Sequence, residues 1–76
     1  MTERRKLSAL QPGESGRVVE IAGDGDGVQR LMDMGVIRGT TLSVIRVAPL
    51  GDPLEVKVRG FMLTLRRSEA EHITVE

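Results

Sequence analysis

The chain has 76 residues, with no cysteine, one histidine and one aromatic ring, and its 11 Lys+Arg balance 11 Asp+Glu. That length makes one domain. The missing cysteines exclude disulfides, thiolate zinc sites and iron–sulfur clusters, and a lone His72 excludes a multi-histidine metal site within one chain. Zero net charge and a single ring, Phe61, argue against nucleic-acid binding, which draws on phosphate neutralisation and stacking platforms.

In chain order, Met1 to Lys6 form a polar tail with no apolar signal region behind it, so a cytoplasmic protein is expected. No apolar run approaches the ~20 residues of a membrane span. Gln11-Pro12-Gly13-Glu14 is a turn, and Arg17–Ile21 the first full strand. Gly23-Asp24-Gly25-Asp26-Gly27 is a loop, because no regular element holds alternating glycines well. Asp26 then caps a short helix from Gly27 to Met34, with Val28, Leu31 and Met32 on one face and Gly35 as its C-terminal glycine.

Thr41–Val47 reads as a strand whose alternation slips. Leu42 and Val44 share one face and Ile45 and Val47 the other, so a bulge near Val44–Ile45, or burial on both faces, is expected. Pro49-Leu50-Gly51-Asp52-Pro53 cannot be interior strand. Next comes the clearest pattern. Leu54, Val56 and Val58 alternate with polar residues, and so, after Arg59-Gly60, do Phe61, Leu63 and Leu65. A two-residue hairpin loop at Arg59-Gly60 sets Val58 against Phe61, Val56 against Leu63 and Leu54 against Leu65, all on one face. Ser68-Glu69-Ala70-Glu71 has the capping-box pattern of one helical turn, and His72–Val75 closes the chain as a strand. The fold expected is mainly β: a small SH3-like barrel of about five strands. One short helix sits in its first long loop, and a helical turn precedes the last strand. Residues 1–6 form the tail and residues 7–76 the domain.

Chemistry-bearing patterns are sparse. Ser8, Ser15, Ser43 and Ser68 lie in no nucleophile-elbow context. Glu14, Glu20 and Glu55 read as solvated strand and turn positions, and His72 as a surface histidine. Asp24-Gly25-Asp26-Gly27 fails as a calcium loop, because its fifth and twelfth positions are Val28 and Gly35. Without a following Gly-Lys-Ser or Gly-Lys-Thr it is no phosphate loop either. A helix-turn-helix beginning at Gln29 would place Gly39, Thr40 and Thr41 in its second helix, where they fit poorly. Met32, Met34 and Met62 serve packing and contact better than soft-metal ligation. Neither an enzyme nor a cofactor is expected.

Four segments together carry a resemblance. Arg30-Leu31-Met32-Asp33-Met34-Gly35-Val36-Ile37-Arg38-Gly39, Pro49-Leu50-Gly51-Asp52-Pro53-Leu54, Val58-Arg59-Gly60-Phe61-Met62-Leu63-Thr64-Leu65-Arg66 and Glu69-Ala70-Glu71-His72-Ile73 resemble, in order and spacing, the motifs of the FeoA family of ferrous iron transport proteins. The resemblance runs from Leu7 to Val75. It implies an SH3-like barrel, here in free-standing form, acting as a cytoplasmic accessory of bacterial ferrous iron uptake. The implied partner is FeoB, a membrane permease with a cytoplasmic GTP-binding domain. The same fold is also a module of iron-dependent repressors.

The function expected is therefore an interaction module that binds and modulates the FeoB permease. The alternative is an iron- or nucleotide-responsive regulator that binds metal or stimulates GTP hydrolysis directly, with Arg38, Arg46, Arg59 or Arg66 as a candidate arginine finger. The partner-binding residues expected are Met32, Met34, Val36, Arg38, Pro49, Leu50, Asp52 and Pro53, an apolar cluster also flanked by Arg30. Self-association is a second use for the same surface.

Overall fold

The computed structural model describes residues 3–23 and 25–76. Six strands carry the chain: β1 (Arg5–Lys6), β2 (Ser15–Ile21), β3 (Thr41–Val47), β4 (Leu54–Val58), β5 (Phe61–Leu65) and β6 (Ile73–Val75). Helix α1 (Asp26–Asp33) lies between β2 and β3, α2 (Arg67–Ala70) between β5 and β6, and a 3₁₀ turn spans Leu7–Ala9. Met1, Thr2 and Asp24, which belong to the expected tail and glycine loop, lie outside the described residues.

All pairings are antiparallel, in the order β1-β6-β2-β3-β4-β5. Strand β2 is the corner. Ser15–Arg17 pair with β3, and Val18–Ile21 pair with β6, across a register shift between Val18 and Glu20. Gly16 sits where the strand changes partner. A Cβ there would lie 2.7 Å from Val75 Cγ2, so only glycine lets β2 pass under that side chain. The chain thereby wraps one core, built from Leu7, Leu10 and Val18, from Leu31 and Val36 around α1, and from the inward rows of β3 to β6. Each fully buried Leu or Val here contributes about 1.5–3 kcal/mol.

Every pair of the β4–β5 hairpin falls in the expected register, from Leu54↔Leu65 to Val58↔Phe61. Its loop holds Arg59 at φ 50° and Gly60 at φ 89°, the positive pair that a two-residue hairpin with right-handed twist requires. One side chain departs from expectation: Phe61 is half exposed, because it occupies the last rung, where the sheet ends and no further layer covers the ring. The slip in β3 is a bulge. Val44 pairs with Val56 and Arg46 with Glu55, leaving Ile45 as the extra, outward residue while Val47 returns to the core side.

Two boundaries need correcting. Arg5 and Lys6 were expected in the tail but form β1 on Val75 and Thr74. Such an edge pair leaves its side chains in water and prints no hydrophobic pattern. Arg5 also donates to both carboxylate oxygens of Glu14, at 3.1 and 3.3 Å, and the Gln11 N–H donates to Glu14 at 2.7 Å. The Arg5 hydrogen bond, helped by that N–H, holds the Glu14 carboxyl below its usual range. In α2, Glu69 rather than Glu71 closes the first turn, its carboxylate accepting the Arg66 N–H at 2.8 Å, so the helix begins at Arg67 instead of after Ser68.

Candidate functional site

Helix α1 starts one residue earlier than expected, with Gly25 rather than Asp26 as its N-cap. Val28 and Leu31 face the core, whereas Met32 is 41% exposed. Eight residues make little more than two turns, and the barrel covers only one stripe. The helix stops as the glycine predicts. Gly35, at φ 102°, donates its N–H to the Met32 carbonyl, and the Val36 N–H donates to the Leu31 carbonyl at 2.9 Å. This is a Schellman turn, and it folds Val36 back against Leu31.

That turn corrects the expected site. Val36 is 1% exposed and belongs to the core, so it is no contact residue. Its neighbour Ile37 is 41% exposed instead and lines a shallow groove with Ile21, Gly23, Met32 and Arg38. Met34 lies on the other side of the helix. Residues two apart are turned by about 200°, and Met34 sulfur sits 3.7 Å from Arg30 Nη1. Met32 and Met34 therefore do not form one patch.

The proline loop behaves differently. Leu50 is 96% exposed, as expected for a residue between Pro49 and Gly51 that cannot reach the core. Arg67 anchors the loop beneath it. Its guanidinium donates to the Gly51 carbonyl and to the Ser8 carbonyl, each at 2.9 Å, while its N–H donates to Asp52 Oδ1 at 3.1 Å. Asp52 is thus a structural acceptor. Pro49 lines a cleft with Arg46, Val47 and Glu55 over the outer face of the sheet.

Asp52 and Pro53 line a second open cleft, of about 470 Å³, together with Arg30, Thr64, Leu65, Arg66 and Glu69. Arg30 Nη2 bridges it to both Glu69 oxygens at 3.1 and 3.2 Å. The ends of α1 fix how the helix lies. Glu69 packs against Gly27 near its start, and Arg59 against Gly35 at its end. Helix α1 therefore begins near α2 and ends near the β4–β5 turn, with Arg30 reaching Glu69 and Met34 beside Arg30.

Among the described residues no group of three or more His, Cys, Asp or Glu comes together to hold a metal. His72 follows α2 and stands against Gly23. No described helix is long and apolar enough to cross a membrane. Leu50, Met32, Met34, Ile37, Phe61 and Met62 are exposed apolar side chains on a rigid barrel. Sequence patterning missed Ile37, although two adjacent apolar residues after a helix-ending glycine cannot both turn inward.

Residues 5–76 match the family model described as FeoA domain. A fusion of Fe(2+) transport protein A with the Fe(2+) transporter FeoB, from Porphyromonas gingivalis, is 35% identical over 71 residues, covering 93% of this chain and 8% of that protein. The chain thus spans a small fraction of that relative. The solution structure of the FeoA protein from Chlorobium tepidum superposes with a TM-score of 0.87 at 50% identity, covering 95% of this chain and 69% of the other. The zinc-complexed crystal structure of FeoA from Stenotrophomonas maltophilia, described as a prokaryotic SH3 domain protein, gives 0.75 at 31% identity, covering 92% and 87%. The SH3-like fold expected from the sequence is the one found.

Proposed function

Because the chain belongs to the FeoA family, which is linked to ferrous iron transport, we propose that it is an accessory protein that docks on the cytoplasmic region of a FeoB permease and modulates it. The observation that carries this reading is the fusion. In the Porphyromonas gingivalis relative a segment like this chain is covalently joined to the transporter, and a tether of that kind is useful where two parts work in contact, since it raises their effective concentration. The surface supports the same reading. Its exposed apolar side chains stand on a rigid barrel and an anchored loop rather than around an enclosed cavity.

The residues assigned to the contact are Met34, Pro49, Leu50 and Pro53, with Met32 and Arg38 on the opposite flank of α1. Leu50 is the anchor candidate, because a fully exposed leucine on an arginine-anchored loop loses little conformational freedom on binding. The test is a pull-down of the permease's cytoplasmic region with wild type, Leu50→Ser and Met34→Ser, alongside circular dichroism. Both variants are expected to keep the wild-type spectrum, and Leu50→Ser to retain less than a third of the partner. Unchanged capture by both folded variants would move the interface elsewhere.

A further inference from the structure

Strand β5 is the end of the sheet and pairs only with β4. Val58 and Phe61 flank a two-residue loop, so they form a hydrogen-bonded pair. By alternation, Phe61, Leu63 and Leu65 spend their N–H and C=O groups on β4. Met62 and Thr64 aim theirs outward. The Met62 and Thr64 side chains are exposed as well, and no other backbone group of the described residues takes those bonds.

An open edge is usually protected by a charge, a proline or a bulge within the strand. Phe61-Met62-Leu63-Thr64-Leu65 contains none of these. Cations stand around it instead: Arg59 at one end, Arg66 at the other, and Lys57 directly across from Met62. None of the three has an ion-pair partner among the described residues, whereas Arg30 and Arg46 do. Arg59 moreover holds a positive φ of 50°, a conformation in which Gly or Asn is the ordinary choice. At the Arg66 end of the edge, Thr64, Leu65 and Arg66 line the cleft that the Arg30–Glu69 pair spans.

We propose that the open edge of β5 receives an extended segment of the permease's cytoplasmic region, apolar in its centre and carrying carboxylates at both ends, which adds as a further strand along β5 with one end over that cleft. Main-chain bonds to Met62 and Thr64 hold it, and Arg59 and Arg66 select its charge. A second copy of this chain fits less well. An antiparallel self-pair centred on Leu63 would set Met62 against Thr64 and bring the Arg59 end of each copy to the Arg66 end of the other, placing like charges at both ends. The assignment rests on the docking reading above and adds to it the chemistry of the docked segment.

The experiment follows amide hydrogen exchange by NMR on the full chain, alone and with the cytoplasmic region of the FeoB permease from the same cell. It is joined to affinity measurements on Thr64→Pro and on the double variant Arg59→Glu with Arg66→Glu. Thr64→Pro removes only an outward N–H, so the β4–β5 ladder is kept. On partner addition the Met62 and Thr64 amides are expected to slow at least tenfold, and both variants to bind at least tenfold more weakly. Wild-type binding with those two amides still exchanging freely would overturn the edge assignment while leaving docking intact. No wild-type binding at all would overturn both. Protection that appears with rising protein concentration and no partner would give the edge to a second copy and overturn the proposal. The amide readout on wild type decides the matter even if Thr64→Pro fails to fold.

Discussion

The Arg67 guanidinium donates to the Gly51 carbonyl at 2.9 Å, joining the start of α2 to the loop that presents Leu50. With its second bond to Ser8, the same side chain ties three segments that are distant in sequence. The fork geometry matters, because one planar group serves two carbonyls at once.

Arg67→Ala is expected to cost about 1–3 kcal/mol, lowering the melting midpoint by roughly 4–24 °C for a domain of this size. Arg67→Lys recovers less than half of that, since a single ammonium cannot reproduce the fork. Thermal melts of the two variants check both statements. Full recovery by lysine would show that charge alone matters there.

The hairpin gives a sharper contrast. Leu63→Asp and Val58→Asp each place a carboxylate in the core without a partner, and both are expected to unfold the domain. Lys57→Ser, on the outer face of the same strand pair, is expected to change stability by less than about 0.5 kcal/mol. A cooperative melt of Leu63→Asp at the wild-type temperature would contradict the register.

These two regions show what the sequence made legible and what it did not. Alternation of period two and a two-residue Arg-Gly loop have one backbone solution, so hairpin and register could be read directly, whereas the slip at Ile45 fitted either a bulge or burial on both faces, and the structure has the bulge. Gly35 marked the helix end for the same reason. The candidate site was legible only in part. Met32, Met34, Val36 and Arg38 are close in sequence, yet a helix followed by a Schellman turn sends them in three directions. Arg30 and Glu69 meet across the cleft and Arg67 reaches Ser8, but neither pair leaves any local pattern. Edge strand β1 was missed because both its residues are charged and partly or fully exposed.

Stability at acid pH is expected to report the Arg5–Glu14 pair. The folded Glu14 carboxyl sits below the ordinary value of 4.5, chiefly through its hydrogen bond from Arg5. Its contribution is therefore complete above that ordinary value and is lost as pH falls through the lower folded value. Melting midpoints of wild type and Glu14→Gln should differ at pH 7 and converge as pH falls through the lowered folded value. A difference that persists unchanged at pH 2 would assign the effect of the substitution to something other than this charge.

The central claim is that this barrel works by contact with the permease. Isothermal titration of the FeoB cytoplasmic region from the same cell with the full chain tests it most directly. Saturable binding at one-to-one stoichiometry, lost in Leu50→Ser at unchanged melting temperature, is the result predicted. The absence of any heat of binding, and of any co-migration on a sizing column at concentrations of about 100 μM, would contradict it.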